Sequence, residues 1–356
     1  MKISFIILAD DGGGGPQSTK DIIFSLELHN IQSELYTFRK NKGFSGLLKD
    51  IYDLFFYFLR LEKSSIVFNS AGLFTGFLLS FYLFFFNLFG RKINFIQIFH
   101  NRVRRDDKGY LHNFLRQVVL EIILISSVKM VSVSKGVFNE IFNQTWFSSK
   151  KLKLNATTIY NPTRKLECLS DNKKLYKFDG KIILAVGRLC VQKDFSTLIK
   201  AHSLLLEKYP NCNLVIVGDG DEKENLLRLA NQSSNPDRII FWGYDNDIAR
   251  HYINADVFVL SSIHEGFGLV LVEAMRAKLP VISTNCPYGP EEILDNGKYG
   301  KIVNVGDQVA LNTAIQDIFQ MSDIERNEVI NLAYGRSLEF SPNIIGQQYK
   351  KLINSL

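Results

Sequence analysis

A chain of 356 residues is long for one hydrophobic core and comfortable for two domains of ordinary size. Its hydrophobic fraction of 46% and charged fraction of 22% exclude a disordered chain, and no short repeat period is present to build a solenoid. Residues 1–160 hold 20 Lys+Arg against 12 Asp+Glu, a net of +8 within a whole-chain charge of +6. That excess suits an anionic partner (phosphate, a membrane surface or nucleic acid), or is no more than a solvated surface.

In chain order, the first apolar run, Met1–Ala9, is short and is followed at once by Asp10-Asp11 instead of a small-residue cleavage site. It reads as a buried strand entering a glycine loop, not as a leader. Strands are predicted at Ile3–Leu8, Ser65–Asn69, Asn94–Phe99, Lys129–Ser132 and Thr158–Tyr160, with helices such as Ser18–Leu28 and Phe114–Leu124 between them. The pattern restarts with strands at Lys181–Val186, Asn213–Val217, Ile239–Phe241, Val257–Leu260 and Pro280–Ser283, separated by helices such as Phe195–Lys208 and Asp221–Ser233. Short buried strands alternating with helices predict an α/β fold of two doubly wound, parallel-sheet domains. A linker is expected near Asn161–Gly180, where Asn161-Pro162 breaks a strand and a polar, lysine-rich stretch follows. The predicted domains are residues 1–165 and 166–340, facing each other, with the site at the carboxyl ends of strands between them.

Two segments raise the question of a membrane. Leu73–Phe89 is almost wholly apolar, and its 17 residues sit at the lower limit for a span. It also stands where the first sheet needs a crossover helix, so a buried crossover helix is expected. Leu47–Leu61 carries apolar residues at helical spacing, with Lys49 and Arg60 near the stripe. It reads as an amphipathic helix that packs on its own domain or rests on a membrane surface. The four cysteines, Cys168, Cys190, Cys212 and Cys286, form no CxxC pair, which argues against a zinc site or a disulfide scaffold and suits a reducing compartment.

The densest chemical signal is Ser261 to Met275 (SSIHEGFGLVLVEAM). A strand ends at Leu260, Gly266 and Gly268 let the backbone turn without a Cβ in the way, and a helix begins near Gly268. The first amides of that helix, Gly268, Leu269 and Val270, have no partner inside it and are ready for an anion. Glu265 and Glu273 flank this seat. Carboxylates repel phosphate, so they are placed to accept hydrogen bonds from sugar hydroxyls on either side.

At these residues the chain resembles the retaining GT-B glycosyltransferases of family 4, whose E-x7-E motif Glu265 and Glu273 reproduce. The resemblance extends through Ala185-Val186-Gly187-Arg188-Leu189, Gln192-Lys193-Asp194-Phe195, Val217 to Glu222, Phe241-Trp242-Gly243 and Cys286 to Ile293. It is specific from Lys181 to about Ile302 and looser in the first half, through the glycine loop Asp11 to Pro16 and the strand ending at His100-Asn101.

The resemblance implies a GT-B fold of two Rossmann-like domains, with the last helix, 341–356, crossing back onto the first. It implies that Arg188 and Lys193 hold the donor diphosphate, as fits a leaving group that gains negative charge. Arg offers a fork and Lys a point charge. Glu265 is implied to hold the donor sugar and Glu273 the ribose. Gly268, Leu269 and Val270 are implied to meet the phosphates, within a loop that includes Gly266 and Phe267. Gly243-Tyr244 is implied to line the base, Gly13, Gly14 and Gly15 to approach the diphosphate, and His100 to face the donor. Arg102, Arg104 and Arg105 meet an acceptor phosphate or are simply solvated. The implied course is front-face substitution without a metal or cofactor, the leaving phosphate taking the acceptor's proton.

The implied activity transfers a hexose or N-acetylhexosamine, from a UDP-sugar in preference to a GDP-sugar. The acceptor is a glycan, lipid-linked in surface polysaccharide assembly. The expected partners are these substrates and a peripheral membrane surface, with no nucleic acid, in the cytoplasm or on the cytoplasmic face of the inner membrane. The alternatives are a non-catalytic relative that binds glycan or a partner, a nicotinamide oxidoreductase and a glycan phosphorylase. The first would show a lost charge among Arg188, Lys193, Glu265 and Glu273, all of which are present. The second is opposed by a first loop that is not G-x-G-x-x-G.

Overall fold

The computed structural model describes residues 2–8, 14–38, 43–62, 64–88, 90, 92–101, 103, 109–164, 175–176 and 178–356. Cys168 and residues 165–174 of the expected linker lie outside them. The chain forms two compact units, Met1–Pro162 with Pro342–Leu356, and Thr163–Ser341.

The first unit runs β1 (Ile3–Leu8), α1 (Gly14–Glu27), β2 (Glu34–Phe38), α2 (Gly43–Leu59), β3 (Ile66–Asn69), α3 (Leu73–Leu88), β4 (Asn94–Phe99), α4 (Tyr110–Ser126), β5 (Lys129–Ser132), α5 (Lys135–Gln144), α6 (Ser149–Asn155) and β6 (Ala156–Thr158). The strands pair in parallel in the order β2-β1-β3-β4-β5-β6. β1, β3 and β4 are buried apolar runs because helices cover both faces of a parallel sheet. β2, absent from the sequence reading, is an edge strand with two of its five residues exposed and one buried, so it lacks that buried apolar signature.

Right-handed crossovers place the helices. The chain moves one way from β1 to β2 and the other way through β3, β4, β5 and β6, so α1 lies on one face and α2, α3, α4 and α6 on the other. The face of α1 is completed by α14 (Pro342–Asn354), which belongs to this unit. A Cβ on Gly346 would stand 2.2 Å from the Ser25 carbonyl oxygen, so glycine is what lets α14 seat on α1. Tyr349 is buried beneath it, its ring 6.1 Å from Phe68.

On the opposite face, Phe55 and Phe58 of α2 pack on Tyr82 and Phe86 of α3. A Cβ on Gly76 of α3 would lie 2.9 Å from Ile123 of α4 and 2.7 Å from Gln97, so this helix sits close to both neighbours. Gln97 and Asn69 are a buried polar pair in register on β4 and β3, with Asn69 Nδ2 donating to Gln97 Oε1 at 2.8 Å. α3 is the crossover helix that the first sheet requires, but only one face of it is buried. Phe74, Phe77, Phe81, Phe84, Phe85 and Leu88 are exposed, because no further layer covers them among the described residues. No helix among those residues is long and apolar enough to cross a membrane.

The second unit runs β7 (Ile182–Val186), α7 (Phe195–Leu205), β8 (Asn213–Val217), α8 (Lys223–Asn231), β9 (Ile239–Gly243), α9 (Ala249–Ile253), β10 (Val257–Leu260), α10 (Leu269–Arg276), β11 (Val281–Thr284), α11 (Pro290–Leu294), β12 (Lys301–Val303), α12 (Gln308–Gln320) and α13 (Asp323–Leu338). Its parallel order is β12-β11-β10-β7-β8-β9. The core joins β7, β8 and β10 to the inner faces of α7 and α12. The connections leave in opposite directions from β7 and β10, so the crevice between these neighbours is the topological switch point of the sheet.

Candidate functional site

The loops at the carboxyl ends of β7, β8 and β9 are laced through their backbones. Gly187 N–H donates to the Val217 carbonyl at 3.0 Å, and Gly218 N–H to the Gly243 carbonyl at 2.8 Å. A Cβ on Gly218 would stand 1.9 Å from the Gly187 carbonyl oxygen, so only glycine permits this approach. Arg188 follows immediately and is exposed, with no hydrogen bond or ion pair among the described residues.

The next turn carries Lys193. Residues 191–193 form one turn of 3-10 helix, ended by Asp194 in the left-handed region at φ +43. Asp194 then caps α7, its carboxylate accepting from Thr197 N–H at 3.2 Å. The Lys193 side chain passes over Gly187, where a Cβ would lie 3.1 Å from its Cε. Its ammonium ends 2.6 Å from Glu265 Oε1, a pair of which little is exposed. The two cations therefore belong to one strand end, and Lys193 reaches across the switch point to the loop after β10.

That loop is fixed from several sides. Ile263 N–H donates to the Gln192 carbonyl, and Gln192 Nε2 to the His264 carbonyl, both at 2.8 Å. Glu265 N–H donates to the Pro287 carbonyl at 2.7 Å, and Tyr288 N–H returns a bond to the Glu265 carbonyl at 2.9 Å. Ser262 donates its hydroxyl proton to Glu265 Oε1 at 2.6 Å. A Cβ on Gly289 would stand 2.0 Å from the Phe267 carbonyl oxygen, which accounts for glycine there. The Phe267 side chain is buried against Phe340, ring centroids 5.4 Å apart, so this residue offers its backbone alone to a ligand.

Gly268, at φ +100, begins α10, and no side chain caps that helix. Its leading amides, including Leu269 and Val270, thus open at the carboxyl edge of the sheet beside Glu265. Gly266 supplies the turn before it. Glu273 lies one turn along α10, where the buried Tyr252 hydroxyl stands 3.0 Å from its Oε2 and 3.2 Å from the Val270 carbonyl. Burial, followed by the Glu273 charge, raises the Tyr252 hydroxyl well above its ordinary value, so it serves Glu273 as a hydrogen-bond donor.

At the end of β9, Gly243 has φ +87 and Tyr244 is exposed. A network the sequence reading missed holds this segment. His251 is buried, with Nε2 at 2.7 Å from Asp245 Oδ2 and Nδ1 at 2.7 Å from the Tyr176 hydroxyl. Arg250 also binds Asp245 and lies over the Trp242 ring. Burial raises the Asp245 carboxyl, but hydrogen bonds from His251, Arg250 and the Asp247 N–H outweigh it and hold the group down at about 2. Burial lowers His251 despite Asp245. The ring is therefore neutral, donating from Nε2 and accepting from Tyr176.

In the first unit, Gly14 and Gly15 open α1, while Gly13 lies outside the described residues, as do Arg102, Arg104 and Arg105. His100 follows β4. The Thr19 hydroxyl donates to the Gly15 carbonyl at 3.1 Å and so accepts from Ser70 at 2.6 Å. Ser70, its own proton used, accepts from His100 Nε2. This assigns the tautomer and leaves Nδ1 an acceptor, buried and without a partner among the described residues. Burial pushes His100 down to about 4. Thr19 and Ser70 are 51 positions apart and Ser70 and His100 are 30 apart, so no local motif announces these links.

A family model described as glycosyl transferases group 1 matches residues 170–336, a span that holds Arg188, Lys193, Glu265 and Glu273. That segment is similar to the group 1 glycosyl transferases. The chain is similar to an uncharacterized glycosyltransferase of Haemophilus influenzae, 36% identical over 157 residues, which is 44% of this chain and 43% of that protein. It is also similar to the N-acetylgalactosamine-N,N'-diacetylbacillosaminyl-diphospho-undecaprenol 4-alpha-N-acetylgalactosaminyltransferase of Campylobacter jejuni, 25% identical over 235 residues, 65% of this chain and 62% of that protein. The chain spans about half the length of these curated relatives. Among solved structures, Anabaena HepE in complex with UDP-glucose matches over 100% of both chains with a TM-score of 0.79 at 18% identity. That likeness is one of fold, and the fold is GT-B.

Proposed function

We propose that residues 170–336 work in a retaining, metal-independent glycosyltransferase, which moves a hexose or N-acetylhexosamine from a UDP-sugar to a glycan acceptor. The observation that carries the reading is the Lys193–Glu265 pair at 2.6 Å, seated at the switch point beside the uncapped start of α10. Arg188 and Lys193 take the donor diphosphate together with the amides of Leu269 and Val270. Their fixed positive charge stabilises the negative charge that develops on the leaving group. Glu265 holds donor sugar hydroxyls and Glu273 the ribose. His100 accepts a hydrogen bond from the sugar through Nδ1, and Gly243-Tyr244 lines the base. The acceptor oxygen attacks the anomeric carbon on the face that the diphosphate leaves, and the leaving phosphate oxygen takes the acceptor's proton. UDP is favoured by the Cys286–Ile293 segment and by the UDP-glucose bound in HepE. A lipid-diphosphate-linked acceptor fits the net charge of +8 in residues 1–160 and the diphospho-undecaprenol in the name of the Campylobacter relative.

Transfer and donor hydrolysis with UDP-sugars test this reading in Glu265→Gln and Lys193→Ala. Removing one charge-stabilising donor of this kind costs about 100- to 1,000-fold in turnover. Full activity in both variants would overturn the site.

A further inference from the structure

The exposed side of the first unit's α2–α3–α4–α6 layer is unlike the surface of a protein that meets only water. α3 contains no charged residue, and its outer side presents Phe81 and Phe84, 62% and 68% exposed, and Leu88, 69% exposed. Beside it, the outer side of α4 presents Leu111, Phe114, Leu115, Ile122 and Ile125. The two charged residues of α4 are turned away from that side: Arg116 donates to the Val103 carbonyl, and Glu121 is buried. Glu121 accepts from the Phe147 and Ser148 amides, at 3.3 and 3.1 Å, and from Trp146 N–H. A buried carboxylate thus fixes a loop that holds Trp146 against Phe114 and leaves Phe147 83% exposed. Scattered apolar residues on a surface are ordinary, but a continuous aromatic sheet across adjacent helices marks a contact with something apolar.

Charge identifies the occupant. Among the described residues from 43 to 155, the exposed cations are Lys49, Arg60, Lys92, Lys135, Lys150 and Lys153, against exposed carboxylates at Asp53 and Glu62. Lys150 and Lys153 follow directly on Trp146 and Phe147, the interfacial pairing of an aromatic ring at headgroup depth with lysine beside phosphate. A second copy would bring two such positive surfaces together. An anionic bilayer instead supplies hydrocarbon for the rings and phosphate for the cations.

We propose that this layer is a bilayer-docking surface, with α3 lying in the interface of a membrane that contains anionic phospholipid, Phe81, Phe84 and Leu88 in the acyl boundary, and Lys150 and Lys153 at the headgroups. It stands on observations separate from the transfer reading. The test is sedimentation of the full chain with vesicles of phosphatidylcholine alone and of phosphatidylcholine mixed with phosphatidylglycerol. Wild type is expected to pellet with the mixed vesicles and to release as salt rises. Phe81→Ser with Phe84→Ser is expected to lower the partition coefficient about a hundredfold, given the burial of two aromatic rings. Lys150→Glu with Lys153→Glu is expected to lower it about tenfold or more on mixed vesicles, with no change in the melting temperature of either variant. Wild type staying in the supernatant with both vesicles overturns the proposal. So does a phenylalanine variant that pellets like wild type, or a wild-type dimer that this variant turns into monomer. UDP-sugar binding measured on the same samples keeps the two readings apart: its loss strikes the donor site and leaves the docking surface standing.

Discussion

Tyr252 illustrates how much of this site is held by residues that carry no motif. Its hydroxyl stands 3.0 Å from Glu273 Oε2, and its ring is buried between α9 and α10. Tyr252→Phe keeps the ring and removes the bond, worth about 1 kcal/mol. The expected outcome is a rise in KM for the UDP-sugar of roughly fivefold with kcat little changed, because Glu273 is assigned to ground-state and transition-state binding alike. Steady-state kinetics decide it, and an unchanged KM would remove Glu273 from the donor site. The residues that carry the motif, Arg188, Lys193, Glu265 and Glu273, were legible because glycines and a strand end mark their loops. Ser262 lay within the legible stretch, but its bond to Glu265 was not. Tyr252 and the Asp245–His251–Tyr176 network were not legible at all. His251 meets Tyr176 across 75 positions of chain, and no local pattern encodes such a meeting.

At the scale of elements, the strand-end glycines separate two demands that look alike in sequence. Gly218 and Gly243 both have positive φ, at +143 and +87. A Cβ on Gly218 meets the Gly187 carbonyl at 1.9 Å, whereas one on Gly243 meets nothing within 4 Å. Gly243→Ala carries the conformational cost alone, about 1–2 kcal/mol. Gly218→Ala must also push two strand-end loops apart, and its cost is about 3 kcal/mol or more. Urea unfolding of the two variants checks the order, and equal losses would contradict the backbone contact. The same scale explains what was missed among the elements. β2 escaped notice because it is an edge strand with one buried residue of five, and β12 because it has three residues, none of them buried. Leu73–Phe89 read as a buried helix because an apolar run has no period to distinguish one covered face from two.

For the whole molecule, buried histidines set an acid limit. Burial pushes His100 and His202 down to about 4, and lowers His251 as well. His202 is fully buried in the second unit, Nε2 at 3.1 Å from the Cys212 carbonyl. In the unfolded chain each ring takes up its proton near pH 6.5, and in the fold only near 4 for the first two. Between those values the unfolded state binds more protons. Stability is therefore complete above about pH 6.5 and falls as pH drops, each ring costing about 1.4 kcal/mol per pH unit at most. Asp245, held at about 2, loses its contribution only below the ordinary carboxylate range and does not affect this window. Melting temperature measured from about pH 7.5 to about pH 4.5 should decline steadily below 6.5. A flat profile would contradict the burial of these rings in neutral form.

The sequence alone determined the alternation of buried strands and helices, the restart of that pattern in a second half, and the glycine-spaced turn from Ser261 to Glu273. Each of these is a short-range property, set by side-chain periodicity and by where glycine relieves the backbone. Only the tertiary structure decided that Lys193 meets Glu265 across 72 positions, that Thr19 and Ser70 fix the His100 tautomer, and that α3 keeps one aromatic side uncovered. Those depend on strand order and on the stacking of layers, which bring distant segments together and leave the outermost helix face to whatever the surroundings supply.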